Sequence, residues 1–418
     1  MSDLRKTALA LFAAAVERAD PALALRRQLA EAPLAPLPEG GRSLILAVGK
    51  AAIPMMREAL AQIPEPRAAL VVTNPENLCT LPGAQVIAGS HPVPDEASAA
   101  AGRAVVDFLA GATAQDRVIA LISGGGSALM VAPASGLTLE DKAEVGRLLL
   151  ASGLEINEMN LIRQQLSDLK GGGLLRHAAP APVTAYLLSD VIGDDLRAIA
   201  SGPTVSPIGT RSEARAVMER VGIWEAAPEA VKAHLSAREE PVDLPSAENI
   251  LIGSNRHSLA AMEDAASGWD AQIVSDHLTG DVAEAAQAVI EAAHKAPSDR
   301  PVALIFGGET TVRLTGTGLG GRNQELALRV AQLGTERLTG DWVFLSGGTD
   351  GRDGPTDAAG GIVTPETWAA VSDAGQDPEA LLANNDSYAA LKAADALVMT
   401  GGTGTNVADV QVFLRKPD

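Results

Sequence analysis

The chain has 418 residues, 46% of them hydrophobic, which is enough for two sizeable cores and too long for one ordinary domain. Its 52 acidic residues outnumber its 33 basic ones, and the formal charge of −19 argues against a protein that binds nucleic acid through clustered cations. Aromatic residues make up only 3% of the chain, so platforms for stacking bases are scarce as well. We therefore expect no nucleic-acid partner.

The N-terminal stretch predicts a packed amphipathic helix. Its apolar residues recur at helical spacing: Leu4, Ala8, Leu11, Phe12, Ala15 and Val16. Because Glu17, Arg18 and Asp20 interrupt the apolar face before it could span a bilayer, we expect neither a signal peptide nor a membrane partner. The single cysteine, Cys79, is typical of a protein from a reducing cytoplasm.

Short apolar runs alternate with alanine-rich helical stretches along the chain. The runs SLILAV, ALVVT, RVIALIS and VTAYLLS are apolar throughout, which predicts a parallel sheet covered by helices on both faces. Charge and proline replace this pattern at residues 236–249, so we place a domain boundary near 240. The alternation resumes with NILIGS, AQIVS, PVALIF, DWVFLS, ALVMT and VQVFL. The sequence predicts two α/β domains, residues 1–240 and 241–418.

Three apolar runs end in a Gly-Gly turn: VIALISGGGS, VALIFGGETT and WVFLSGGTDG. A glycine turn at the end of a parallel strand leaves backbone N–H groups free for an anion, although Gly-Gly also simply makes tight turns. For most of these turns the second interpretation is the simpler one. The first turn has three glycines and a serine expected at a helix cap, so we predict a phosphate site formed by Ser123, Gly124, Gly125, Gly126 and Ser127.

The segment AVGKAA places Lys50 directly after a buried strand and at the start of a helix. It is not a phosphate-binding P-loop, because GxxxxGK[ST] fails at Leu44 and Ala51. A lysine at this position can neutralise a transferring phosphoryl group, and it can equally be a solvated surface residue. This stretch alone leaves both interpretations open.

The segment TGTGLGGRNQELAL sets Arg322 between glycines and the start of a helix. Gly316, Gly318 and Gly321 satisfy GxGxxG, but the arginine after the last glycine and the late position in the chain make a dinucleotide site a weak prediction. A cation at a helix N-terminus is unfavourable by up to about 1 kcal/mol, so an anion beside it is the natural compensation. We expect Arg322 to add its planar fork of donors to an anion site and rank this above a surface pair with Glu325.

Carboxylates follow several apolar runs, and two come directly after a strand: Asp190 and Glu309. Mg²⁺ in phosphoryl transfer takes one or two carboxylates beside phosphate oxygens and water, so we choose these two as metal ligands. Most of the remaining aspartates in these glycine-rich segments are expected to form turns; they are Asp194, Asp195, Asp350, Asp353 and Asp357. The six histidines show no zinc spacing, and the chain has no GxSxG elbow for acyl transfer.

Long glycine-patterned stretches cover nearly the whole chain, among them GSHPVPDEAS, LISGGGSAL, EINEMNLIRQQLSDLKGGGL, LLSDVIGDDLRAIASGPT, GLGGRNQELAL, SGGTDGRDGPTDAAGG and TGGTGTNVADVQV. Together with AVGKAA they resemble the class II D-glycerate 2-kinases. In that family a glycerate-kinase domain is followed by a MOFRL domain, and its members are sometimes labelled hydroxypyruvate reductase.

The resemblance implies ATP-dependent phosphorylation of D-glycerate to 2-phosphoglycerate with Mg²⁺. It also implies a Rossmann-like N-terminal domain, an active site in the cleft to the C-terminal domain, and Lys50 and Arg322 as the principal catalytic cations and substrate contacts. On this hypothesis ATP phosphates lie on the Ser123–Ser127 turn, and Asp190 orients the 2-hydroxyl and helps to hold the metal. One alternative is an NAD(P)H-dependent hydroxypyruvate reductase, and another is a non-catalytic sensor of sugar phosphates or nucleotides that uses the same glycine turns. A homodimer is compatible with the sequence, which leaves the oligomeric state open.

Overall fold

The computed structural model of the protein describes residues 3–238 and 244–417. The chain forms two compact units. The N-terminal unit contains residues 24–189 and 194–252, and the C-terminal unit contains the residues up to 23, residues 190–193 and those from 253 onward. The boundary expected between residues 240 and 241 lies in 239–243, outside the described residues.

The N-terminal unit is built on a six-stranded sheet in the order β3-β2-β1-β4-β5-β6. The strands are β1 Ser43–Val48, β2 Arg67–Thr73, β3 Gln85–Ala88, β4 Arg117–Ile122, β5 Val183–Leu188 and β6 Ala247–Gly253. Strands β1 to β5 pair in parallel, and β1 and β4 are buried along almost their whole length. This is the strand order of dinucleotide-binding folds, and it confirms the predicted Rossmann-like sheet. The run NILIGS, which the sequence placed in the second half, supplies β6 of this first sheet.

The connections of the N-terminal unit are helical. Its helices are α2 Pro21–Glu31, α3 Ala52–Gln62, α4 Glu96–Leu109, α5 Gly126–Leu129, α6 Leu139–Ala151, α7 Ile156–Gln165, α8 Gly173–Ala178, α9 Arg211–Arg220 and α10 Glu229–Ser236. A hydrophobic cluster joins α6, α7, α9 and α10 through residues such as Val145, Ile162 and Met218. These four helices therefore form a layer with a core of their own.

The C-terminal unit has a second six-stranded sheet, in the order β13-β12-β11-β14-β9-β7. Its strands are β7 Asp270–Ser275, β9 Val302–Gly308, β11 Trp342–Gly348, β12 Gly360–Val363, β13 Leu397–Val398 and β14 Asp409–Arg415, and β8 Gly280–Asp281 pairs with β10 Thr310–Thr311 beside it. Among the described strands of this six-stranded sheet, only β7 and β9 pair in parallel, and β14 lies antiparallel to both β9 and β11. Runs that are apolar throughout thus indicate burial on both faces but not strand direction.

Helices cover both faces of the second sheet. They are α1 Asp3–Arg18, α11 Asn255–Ala265, α12 Val282–Lys295, α13 Arg322–Arg337, α14 Thr367–Asp373, α15 Pro378–Ala383 and α16 Ser387–Ala393. The buried face of α1, including Leu11 and Phe12, packs with α11 and with β9, β11 and β14. The N-terminal helix therefore belongs to the C-terminal unit, although the sequence grouped it with residues 1–240.

We find no helix among residues 3–238 and 244–417 that is both long enough and apolar enough to cross a bilayer.

Candidate functional site

Lys50 lies in the turn between β1 and α3, as the sequence predicts. Its side chain is exposed, while its backbone N–H donates to the carbonyl of Gly124 at 2.9 Å. Gly49 precedes it with φ +125°, and a Cβ there would come within 2.2 Å of Ser123 Oγ. Only glycine allows this close approach, so the Lys50 turn is fixed directly against the end of β4.

The predicted phosphate turn, residues 123–127, follows β4. Ser123 is buried, and its Oγ accepts a hydrogen bond from the N–H of Ala51 at 3.1 Å. Its hydroxyl therefore holds the Lys50 turn in place. The expected serine cap is wrong, because Gly125, with φ +86°, is the N-cap of α5 and Ser127 lies within that helix. Glycine takes the cap because a left-handed φ is strained for a residue with a side chain.

The N–H groups of residues 124–127 make no hydrogen bond with any residue that the structure describes. An unpaired run of N–H groups beside an exposed lysine is the chemistry of an anion site. The imidazole of His91 lies beside them, since a Cβ on Gly125 would meet His91 Cδ2 at 3.4 Å and Lys50 Cγ at 3.2 Å. Burial and then the charge of Lys50 lower the pKa of His91, against the charge of Glu76.

Arg322 begins α13, as predicted, and acidic side chains hold its guanidinium on two sides. Its Nε and Nη2 donate to the two carboxylate oxygens of Asp409 at 2.6 and 3.0 Å, and Nη1 lies 2.8 Å from Glu309 Oε1. Asp409 is 1% exposed, whereas the arginine side chain is 36% exposed. Burial alone would lower the pKa of Arg322, but the bonds and charge of Asp409, followed by Glu309, raise it above its ordinary value. The arginine is therefore a permanent, oriented cation with an accessible edge.

The helix start beside Arg322 already has an anion from the chain itself. Asp353 is buried, and its carboxylate accepts the N–H groups of Asn323 at 3.1 Å and Gln324 at 2.8 Å. The compensating negative charge that the sequence predicts at this position is thus supplied by Asp353 and Asp409. The surface pair between Arg322 and Glu325 does not form, because Glu325 is buried and bonds Arg329 and Asn385.

The glycines of residues 315–321 pack against the protein's own chain. A Cβ on Gly316 would lie 2.3 Å from the carbonyl oxygen of Asn384, and one on Gly318 would lie 2.4 Å from Asp386 Cβ. The N–H groups of residues 315–319 donate to oxygens of Asn384, Asn385 and Asp386. Because these donors are already used, the GxGxxG match does not form a dinucleotide-binding loop.

The two carboxylates chosen as metal ligands both belong to the C-terminal unit. Burial raises the pKa of Glu309, and the charges of Asp409, Asp190 and Asp350 raise it further, whereas Arg322 lowers it. Asp190 therefore lies within electrostatic range of Glu309. No group of three or more acidic, histidine or cysteine side chains is arranged around a metal position within residues 3–238 and 244–417. The oxygen donors suit Mg²⁺ carried by a polyphosphate, which supplies most of its own ligands, better than a metal held by protein alone.

Family models cover most of the chain. A family described as a domain of unknown function, DUF4147, matches residues 7–236, and the MOFRL family matches residues 302–409. The D-glycerate 2-kinase of Thermotoga maritima is 38% identical over 98% of this chain and 98% of its own length. The chain belongs to the class II glycerate kinase family.

A solved structure and a second sequence relative are also similar to this chain over nearly its whole length. The crystal structure of the glycerate kinase from Thermotoga maritima covers 99% of both chains, with a TM-score of 0.92 and 38% sequence identity. A protein from Agrobacterium vitis that carries the provisional name of a hydroxypyruvate reductase is 39% identical over 97% of this chain and 93% of its own. The two-domain α/β fold expected from the resemblance is confirmed.

The predicted site residues of this glycerate kinase family member thus form two groups. Lys50 and residues 123–127 share one end of the N-terminal sheet, while Arg322, Glu309 and Asp190 lie together in the C-terminal unit. Asp409 was not predicted as the partner of Arg322, and Asp353 was predicted only to form a turn. The only available signal for Asp409 was its place in the segment TGTNVADV, which identifies no partner.

Proposed function

We propose that this enzyme transfers the γ-phosphoryl group of ATP to the 2-hydroxyl of D-glycerate and forms 2-phospho-D-glycerate. The observation that carries the proposal is the 38% identity, over 98% of both chains, to a D-glycerate 2-kinase. The unpaired N–H groups beside Lys50 and the oriented guanidinium of Arg322 support it, since phosphoryl transfer depends on positioned donors and cations.

The proposed role of residues 124–127 is to bind ATP phosphates through their free N–H groups. Lys50 extends from the adjoining turn, and its ammonium would neutralise negative charge on the phosphoryl group during transfer. The buried Ser123 contributes indirectly, because its Oγ holds the N–H of Ala51 and so fixes the turn that carries Lys50.

The proposed role of Arg322 is to stabilise the same transferring group and to bind the substrate. Asp409 and Glu309 use three of its donors, Nε, Nη2 and Nη1, so the remaining N–H of each terminal nitrogen is available to a ligand. Because Asp409 fixes the plane of the guanidinium, these donors have a defined direction before substrate binds.

Asp190 and Glu309 are the proposed carboxylate ligands for the Mg²⁺ that accompanies ATP, with phosphate oxygens and water as the other ligands. Their mutual repulsion, which contributes to the raised pKa of Glu309, is what a divalent cation would relieve. When bound, the metal would neutralise charge on the phosphates. Asp190 is also proposed to orient the 2-hydroxyl of glycerate, and a strong base is unnecessary because the transfer depends mainly on positioning.

The proposed partner is therefore a small molecule. The acidic chain argues against nucleic acid, and the single exposed cysteine, Cys79, fits a cytoplasmic location.

One set of assays on the purified chain tests the proposal. With Mg²⁺, ATP and D-glycerate, we expect ADP release and a product whose phosphorus NMR signal couples to the proton on C2. L-glycerate and Lys50→Ala are the controls, and both should give little ADP. A phosphate on the 3-hydroxyl would contradict the regiochemistry. Consumption of NADH with hydroxypyruvate, without ADP formation from glycerate, would overturn the kinase assignment in favour of the reductase.

A further inference from the structure

The N-terminal unit contains a large cavity that is separate from the Lys50 turn. Its volume is about 1270 Å³, and all its described lining residues belong to that unit. Its wall consists of residues 134–136, the end of α7 with the following turn to Gly171, the first turn of α9, and α10. Neither Lys50 nor residues 123–127 line it, so it is not part of the site described above.

The described lining residues of the cavity include more basic than acidic side chains, in a chain whose net charge is −19. Its described lining residues include five cations, namely Lys170, Arg176, Arg211, Arg215 and Arg238. Among them the only acidic residue is Asp168, which is already held by Arg176 at 3.2 Å and by His177 at 2.9 Å. Two of these cations are already compensated, because Arg176 lies 3.2 Å from Asp168 and Arg215 lies 2.8 Å from Glu219, so the buried Lys170 is the lining cation that most needs an anion.

Lys170 is the decisive residue. It is 7% exposed, and its ammonium has no hydrogen bond or ion pair with any residue in the described part of the chain. Burial, and then the positive charges of Lys142 and Arg163, lower its pKa well below the ordinary value. A buried lysine without a counter-ion gives up its proton unless an anion stabilises the charged form, and the place of Lys170 in a cavity wall puts its amine where a bound anion would do so.

We propose that this cavity is a second anion-binding site, which takes a small ligand bearing two or more phosphate or carboxylate charges. Lys170 provides the buried charge, while the arginines provide the planar forks that bind such groups.

The cavity is connected to the predicted phosphate turn by hydrogen bonds. Ser201, with φ +60°, accepts at its carbonyl from Gln164 Nε2 at 3.2 Å and from the N–H of Gly171 at 3.1 Å. Its hydroxyl lies 2.7 Å from the hydroxyl of Ser127. Gln164 and Gly171 both line the cavity, so we expect an occupant there to alter the support of Ser127. This regulatory consequence rests on the proposed kinase function, whereas the binding site does not.

Calorimetric titration of the full chain with inorganic pyrophosphate, without ATP or glycerate, tests the site. Because pyrophosphate can also bind the turn at Lys50, the comparison is made in the Lys50→Ala background, where we expect pyrophosphate to bind. Adding Lys170→Met, which keeps the length of the side chain but removes its charge, should weaken that binding at least tenfold. The control is Lys295→Met, because that exposed lysine pairs with Glu291 on α12 and lies outside the cavity. Absence of binding by the wild type, or loss of binding in Lys50→Ala alone, would overturn the proposal.

A second variant guards against misfolding of Lys170→Met. Ala233 is an exposed residue of α10 that lines the cavity, so Ala233→Glu introduces a negative charge without disturbing the core. Its thermal melting temperature should match that of the wild type while its affinity for pyrophosphate weakens at least tenfold. An unchanged affinity would contradict the proposed site.

A kinetic experiment tests the regulatory consequence. Saturating pyrophosphate should change the KM for ATP at least twofold more in the wild type than in Ala233→Glu, and equal changes in both proteins would contradict regulation through this cavity. If the kinase function fails, no variant forms ADP and the binding results still stand.

Discussion

The guanidinium of Arg322 and the carboxylate of Asp409 form two hydrogen bonds, at 2.6 and 3.0 Å, between the first residue of α13 and the first residue of β14. The aspartate is almost fully buried, while the arginine keeps an accessible edge. This pair therefore sets the direction of a cation on which the proposed phosphoryl transfer depends.

Asp409→Asn should lower kcat strongly while leaving the KM for ATP less changed. An amide offers one acceptor oxygen in place of two, so Arg322 loses its fixed plane, and a misplaced catalytic group costs up to about 100-fold in rate. Steady-state kinetics measures this effect. Asp270→Asn is the matched control, because Asp270 accepts from Arg300 Nε at 2.7 Å on an exposed surface. Equal kinetics in the two variants would argue against a positioning role for Asp409.

Arg322→Lys should lose most of kcat, roughly 100-fold or more, because a lysine cannot bond Asp409 through two nitrogens and still present donors to a ligand. The corresponding change in the exposed pair, Arg300→Lys, should leave kcat unchanged. Near-wild-type turnover by Arg322→Lys would remove Arg322 from the mechanism. A combined Lys50→Ala and Arg322→Lys variant should lose less than the product of the two single effects if both cations act in one step.

Gly125→Ala should reduce kcat/KM more than its effect on stability explains. Gly125 has φ +86°, and an added Cβ would lie 3.2 Å from Lys50 Cγ. Gly153→Ala is the control, since Gly153 has φ +70° and nothing within 4 Å of the added atom. Both variants should lose about 1 kcal/mol of unfolding free energy from the left-handed backbone, but only Gly125→Ala should impair turnover. Chemical denaturation together with kinetics separates the two effects, and impairment of both variants alike would contradict a local role for Gly125.

Asp353→Asn should change the pH dependence of stability. Burial raises the pKa of Asp353 to about 6, against the hydrogen bonds it accepts from Gln324 and Asn323. Between about pH 4, where an unfolded aspartate titrates, and about pH 6, the folded state binds the extra proton, so the unfolding free energy falls as pH rises through this window. The fall attributable to Asp353 is about 3 kcal/mol, and the asparagine variant lacks it.

Unfolding free energies of the wild type and of Asp353→Asn, measured by denaturant between pH 4 and 7, test this sign. As pH rises from 4 to 7, the unfolding free energy of Asp353→Asn should increase relative to that of the wild type. Asp357→Asn, at an exposed position of the same loop, should track the wild type. A difference that stays constant across the window would show that Asp353 does not titrate there.

Local sequence determined much of this protein. The apolar runs specified buried strands, and the glycine turns with Lys50 were placed correctly at the end of the first sheet, because burial and turn formation depend on residues close together in the chain. Arg322 was likewise placed correctly at a helix start.

Only the tertiary structure decided which partners these groups have. Arg322 and Asp409 lie 87 residues apart in sequence, and nothing in either segment specifies the other. The glycines of residues 315–321 likewise pack against residues 384–387, which their own segment does not specify. The apolar face of α1 could pack on either sheet, and the tertiary structure places it on the second one. Strand direction in that sheet was undetermined for the same reason: an apolar strand is buried equally well in either direction, and the choice depends on how distant segments pack together.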